Sequence, residues 1–277
     1  MKSCFNTITV GERAGLGDII EACGSAGFAG IEIDARHLEP YLEAKGEAAL
    51  KAQLEANRLQ VAALMAFPFY PFEEPDAEKL DRYALYAERA AAFDAGCLLT
   101  FIVGVPPEGM GDEEQFATAA ENIRPYADAA AQHGIGVALE LIGMAAFARK
   151  PAEVMRIIDG SERENVGIMM DTFHFYKSGV TTQEIAEIPA EKLMIVHVND
   201  APDLPRKTMQ DSDRVYPGLG VLPLVEWFGV LEGKGYDGFL SVEIFNPSYW
   251  EQTPAKIALE AKRNLDLVLE RLAATGG

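Results

Sequence analysis

Eight short, mostly apolar runs recur along this chain, and their spacing constrains the fold more than any other feature of its 277 residues. They are "SCFNTIT" (3–9), "GIEIDAR" (30–36), "QVAALMAF" (60–67), "CLLTFIVGV" (97–105), "GVALELIG" (136–143), "VGIMMDTFH" (166–174), "LMIVHVNDA" (193–201) and "GFLSVEIF" (238–245). Each has the length of a strand. None shows the clean alternation of a strand with one wet face. Nearly continuous apolar runs suit parallel strands covered on both sides.

The stretches between them have helical period. Residues 76–95 place Leu80, Tyr83, Ala84, Ala87 and Ala91 on one face, with Gly96 as a stop. Residues 112–133 read similarly up to Gly134, and Pro125 is expected to kink or split that helix. The last helix opens at Thr253-Pro254, a cap followed by proline at the first helical position. It carries a stripe of Ile257, Ala261, Leu265, Val268 and Leu272. Eight strand–helix units with no Ser- or Pro-rich linker predict one α/β domain over 1–277, a (β/α)8 TIM barrel. A doubly wound open sheet is the alternative, but no Gly-rich fingerprint follows the first run.

Four consecutive late strands end in a metal-type ligand: Glu140 in "ALELIG", Asp171 in "MMDTFH", His197 in "IVHVND" and Glu243 in "SVEIFN". Parallel barrel strands point one way, so their C-terminal ends converge where barrel enzymes do chemistry. Two residues back, on each ligand's face, stand Ala138, Met169, Ile195 and Ser241, which can fill a lower layer of the interior. Any one carboxylate at a strand end suits a helix cap or a loop salt bridge. Three carboxylates and an imidazole together repel one another in a dry cavity unless a cation binds them. An oxygen-rich set with one nitrogen suits Mn²⁺, Mg²⁺ or Co²⁺ and admits Zn²⁺; one divalent ion, Mn²⁺ first, is the expected cofactor.

The formal charge of −19 repels phosphate backbones and anionic membranes, so neither nucleic acid nor membrane is an expected partner. The longest apolar run, 61–72, is too short to cross a bilayer and is broken by prolines. The first ten residues lack a signal-peptide core, and the three cysteines match no metal spacing. A cytoplasmic protein with reduced, buried thiols is expected.

With these motifs in hand, "CFNTIT", "GIEIDAR", "ALELIG", "DTFHFYKSG", "HVNDAPDLPR", "DSDRVYPGLG" and "SVEIFNPSYW" resemble the xylose-isomerase-like barrel superfamily, and within it the inosose isomerases (2-keto-myo-inositol isomerases). The resemblance runs from the first strand to the last helix. It implies one divalent metal on Glu140, Asp171, His197 and Glu243, with Glu140 and Glu243 also moving the proton. It implies that His174 hydrogen-bonds substrate oxygens. Ketose 3-epimerases of the superfamily carry an arginine six residues past the metal histidine, where this chain has Asp203. A substrate-facing arginine must then be Arg206 or Arg214, or be absent. The superfamily's DNA-repair endonuclease IV needs a histidine-rich three-zinc cluster, and this chain has four histidines in all.

The expected activity is isomerisation or epimerisation of a keto-inositol or ketose by proton transfer through a metal-stabilised enediolate. A lyase on a keto-polyol, such as an inosose dehydratase, is the alternative, followed by a catalytically silent sugar-binding barrel. A homodimer is compatible with this reading. Around the same strand ends, Asp34 is a substrate contact or a helix cap, and Glu32 reaches the cavity or serves as a buried structural group. His37 follows in the same segment, and His133 sits at a helix end in a structural role. Phe67, Phe69, Tyr70, Phe173, Tyr249 and Trp250 are core or subunit contacts, with one or two available to shield a ring-shaped polyol. The long interval between His197 and Glu243 contains 202–220, an ordered flap, a surface excursion or a dimer contact.

Overall fold

The computed structural model describes residues 1–65 and 68–275. In chain order its elements are β1 (Lys2–Asn6), α1 (Leu16–Ala26), β2 (Gly30–Ile33), α2 (Ala35–Ala56), β3 (Gln60–Met65), α3 (Ala77–Ala92), β4 (Cys97–Phe101) and α4 (Asp112–Ala131). They continue with β5 (Gly136–Glu140), α5 (Pro151–Ser161), β6 (Val166–Asp171), α6 (Thr172–Lys177), α7 (Thr182–Glu187), β7 (Leu193–Val198), α8 (Leu224–Gly233), β8 (Phe239–Val242) and α9 (Pro254–Thr275). The eight strands form a closed barrel in sequential order, as the alternating apolar runs predict.

The chain divides into two compact units, Met1–Ala62 with Val196–Gly277, and Ala63–Ile195. In the first, β1 lies parallel to both β2 and β8, and β7 is parallel to β8. The predicted α9 stripe is buried along its length and packs on α1. In the second unit, β3, β4, β5 and β6 run parallel in succession, and α4 packs between α3 and α5.

Several predicted strands are shorter than their apolar runs, and three stop for one reason. Asn6 ends β1 and its side chain accepts from the backbone N–H of Ile8, opening a 3-10 turn over Thr7–Val10. Asp34 follows β2 and accepts from Arg36 N, capping α2. Asp171 ends β6 and accepts from His174 N, capping α6, so "TFH" is helical rather than strand. A short polar side chain that satisfies the next turn's orphan N–H groups takes the backbone out of the sheet. The predicted end of the third run, 66–67, lies outside the described residues.

Two helix expectations are corrected. The split at Pro125 does not occur: α4 continues through it, with Phe116, Ala119, Ala120, Ile123, Ala127 and Ala130 buried along the helix on both sides of the proline. Tertiary packing of that face outweighs the local cost of a missing N–H. In α3 the buried face is Tyr83, Tyr86, Ala87 and Ala90, so it includes a second tyrosine, while Leu80, Ala84 and Ala91 are only half-buried. That helix ends at Ala92, before Gly96, with Asp94 adopting the left-handed conformation (φ 54°). Cys4, Cys23 and Cys97 are buried and none of them is in a disulfide. Among the described residues, no helix is long and apolar enough to cross a membrane.

Candidate metal centre

In the first unit, the strand-end groups form a buried polar cluster. His197 lies in β7 and is fully buried. Its Nε2 is 2.9 and 2.8 Å from the two carboxylate oxygens of Glu32, and its Nδ1 is 3.2 Å from Glu243 Oε2. Glu32 comes from β2 and is also fully buried. Asn6 Nδ2 donates to both glutamates, at 2.6 Å to Glu32 and 3.0 Å to Glu243. Ser241 Oγ donates to Glu32 at 2.7 Å. Glu243 follows β8 directly and receives Arg214 Nη1 at 2.7 Å.

Arg214 is 1% exposed, an unusual place for a guanidinium. Its charge is met on one side by Glu243 and on the other by Asp211, whose Oδ1 accepts from Nη2 at 2.8 Å. Phe245 lies under the guanidinium, 5.2 Å from the ring centroid. Asn246 Nδ2 donates to the Arg214 carbonyl, fixing the backbone as well. The 200–222 excursion that carries this arginine is tied down by Asp200. That carboxylate accepts from the N–H groups of Ala201, Gly218, Gly220 and Leu222. At Gly220 a Cβ would overlap the Ala201 carbonyl, so a side chain there would break the clamp.

In the second unit, Glu140 and Asp171 are the final residues of β5 and β6, both buried. Because Asp171 caps α6, it places His174 in the first turn of that helix, and His174 Nε2 lies 3.7 Å from Glu140 Oε1. The cap reading and the strand-end reading of Asp171 therefore hold together.

Glu140, Asp171, His197 and Glu243 each offer a ligand atom, and these atoms all lie within 4.8 Å of one another. Three carboxylates beside one imidazole concentrate negative charge in a dry environment. Within the first unit, His197 faces two carboxylates, Glu243 and, outside the four, Glu32. Burial opposes a charged imidazole there, yet the carboxylates of Glu243 and Glu32 outweigh it and hold its pKa well above the ordinary histidine value. Burial likewise pushes Glu32 up, partly offset by His197. Three buried carboxylates and one buried imidazole whose ligand atoms lie this close fit a divalent cation.

The other sequence candidates fall in distinct places. Asp34 is buried as the α2 cap and pairs with Arg36 Nε at 2.8 Å. His37 is buried with Nε2 2.9 Å from the Gly11 carbonyl, and burial lowers its pKa. Arg206 is exposed, whereas Arg214 is buried against Glu243. His133 is exposed beyond the end of α4. Phe69 and Phe173 are core residues, Tyr70 is exposed, and Tyr249 stacks on Tyr216 with ring centroids 4.4 Å apart. Trp250 packs over Gly11. Phe67 lies outside the described residues. Sequence reasoning missed Asn6, Asp211 and Asn246 and treated Ser241 as filler. Asn6 was findable, as a polar residue closing an apolar strand.

A family model described as a xylose isomerase-like TIM barrel matches residues 20–268, most of the chain. The chain belongs to that family. Among xylose isomerase-like barrels, the inosose isomerase of Halalkalibacterium halodurans is 28% identical over 269 residues, covering 95% of this chain and 94% of that protein. A crystal structure of IolI protein with a binding zinc atom superposes with a TM-score of 0.88 at 25% identity, covering 98% of this chain and 99% of the other. The 3-dehydroshikimate dehydratase of Pseudomonas aeruginosa is 28% identical over 93% of this chain, which spans 40% of that longer protein.

Proposed function

We propose that the protein is a divalent-metal-dependent isomerase or epimerase of a keto-inositol or related keto-polyol. The observation that carries this reading is the convergence of Glu140, Asp171, His197 and Glu243, all buried, within 4.8 Å. The inosose isomerase relatives point to a small polyol as substrate, and the zinc atom in the IolI structure supports one metal site. Mn²⁺ is the ion the oxygen-rich donor set suits best, with Mg²⁺, Co²⁺ and Zn²⁺ as alternatives.

When bound, the ion supplies Lewis acidity toward a carbonyl and the hydroxyl beside it. The chain's own residues do the rest. Glu140 and Glu243 are the two proton carriers: one takes the proton from the carbon beside the carbonyl, the other serves the opposite face of the substrate. Return of the proton to the neighbouring carbon isomerises, and return to the opposite face of the same carbon epimerises. Arg214 orients the Glu243 carboxylate and balances its charge. His174, held by the Asp171 cap, hydrogen-bonds substrate oxygens. Arg206 and Asp34 have weaker support as substrate contacts, one being exposed and the other engaged by Arg36.

The dehydratase relative supports a second reading, in which the same proton abstraction is followed by loss of a β-hydroxyl. Both readings are tested by incubating a panel of keto-inositols and ketoses with the metal-loaded protein in D₂O. Isomerase activity predicts deuterium on carbon with retention of the carbon skeleton's hydroxyl count, and Glu243→Gln eliminates that exchange. A product short of one water would replace this reading with the lyase, and undiminished exchange after complete metal removal would defeat both.

A further inference from the structure

Glu32 has no place among the four proposed ligands, yet its carboxylate is held by side chains from three other strands, β1, β7 and β8. It is fully buried, and its two oxygens meet three donors: Asn6 Nδ2 at 2.6 Å, Ser241 Oγ at 2.7 Å, and His197 Nε2 at 2.8 and 2.9 Å. The Asn6 amide orientation is itself fixed, because its Oδ1 accepts from Ile8 N at 3.0 Å, so Nδ2 is the donating end. Burying a carboxylate costs several kcal/mol unless its lone pairs are answered; here Asn6 and Ser241 answer one oxygen each, and both oxygens share His197 Nε2. The other ring nitrogen, Nδ1, is the one that faces the ligand-type carboxylate Glu243, at 3.2 Å.

We infer that Glu32 is the positioning residue of the metal centre: it holds His197 by Nε2–H and thereby commits Nδ1 to the cation. A neutral imidazole has one donor and one acceptor nitrogen, so an acceptor fixed at Nε2 sets the tautomer and the ring plane together. An imidazole that donates its N–H to a carboxylate is also a stronger ligand through its other nitrogen. Asn6 links the two glutamates, donating to Glu32 Oε1 and Glu243 Oε1, so the outer carboxylate and one proposed ligand are held in register.

The inference rests on the metal reading above, and the experiment separates the two. Wild-type protein labelled with ¹⁵N-histidine is compared by NMR before and after one equivalent of Zn²⁺. The affinities of wild type and Glu32→Gln for Zn²⁺ are measured by competition with a chromogenic chelator. The expected result is a proton on Nε2 of His197, a zinc-dependent shift on its Nδ1, and a Glu32→Gln affinity about 10–100-fold weaker. Zinc on Nε2, or an affinity for Glu32→Gln within twofold of wild type, overturns the role of Glu32 while leaving the metal site intact. A wild-type protein that shifts no histidine nitrogen on zinc addition overturns both. If Glu32→Gln does not fold, the wild-type spectra alone decide which nitrogen carries the metal.

Discussion

Arg214 carries the only guanidinium among the largest fully buried side chains described, and Glu243 and Asp211 hold it there. Removing one partner of a buried ion pair strands the other charge, at a cost of about 3–5 kcal/mol. Arg214→Met is therefore predicted to lower the unfolding free energy from denaturant titration by a corresponding amount, with a lower midpoint, while Arg206→Met, at an exposed position, leaves it within about 0.5 kcal/mol of wild type. A midpoint unchanged in Arg214→Met would show that the buried pair contributes nothing. At this scale the sequence was informative where geometry is periodic. Glu140, Asp171, His197 and Glu243 could be picked out because strand parity and strand ends limit where a side chain points. Arg206 and Arg214 could not be separated, because the 200–222 excursion has no period. Its path is set by Asp200 and its four backbone N–H donors, a contact pattern no local rule encodes.

Between residue and barrel, the recurrent element is a strand that ends in its successor's cap. Asn6, Asp34 and Asp171 all serve it, and their polarity explains why the apolar runs overshoot the strands they predict. The eight runs were legible as strands because burial on both faces leaves few polar positions. Their ends were blurred because the last residues of each run belong to turns and first helical turns. The same capping logic gives a pH prediction at α7. Thr181 and Glu184 form a capping box there, and Lys150 Nζ joins Glu184 at 3.0 Å. Burial pushes the Glu184 carboxyl up, but the Thr181 backbone N–H, the Lys150 ammonium and the Thr181 hydroxyl together bring it below its ordinary value. A depressed carboxyl contributes stability above its unfolded pKa and loses it as pH falls through the folded one. Glu184 is partly exposed, so the effect stays below about 1 kcal/mol. Denaturant midpoints of wild type and Glu184→Gln should differ most at neutral pH and converge toward pH 3. A gap that widens on acidification would contradict the assignment.

For the molecule as a whole, the fold follows from repetition: eight strand–helix units in one chain, closed in sequential order. Its negative charge is consistent with a small uncharged polyol as ligand and unfavourable for a polyanion. The barrel architecture was legible from spacing alone. The outer carboxylate Glu32 and its link through Asn6 were not, because they depend on which side chains from β1, β2, β7 and β8 meet across the first unit. The central claim is that four ligands from different strand ends act as one site for one cation. Isothermal titration of Mn²⁺ and of Zn²⁺ into chelator-stripped protein tests it most directly. The account predicts one equivalent bound per chain, weakened at least 100-fold in both Asp171→Ala and His197→Ala. Binding of no metal, of several equivalents, or of one equivalent that both variants retain at wild-type affinity would contradict it.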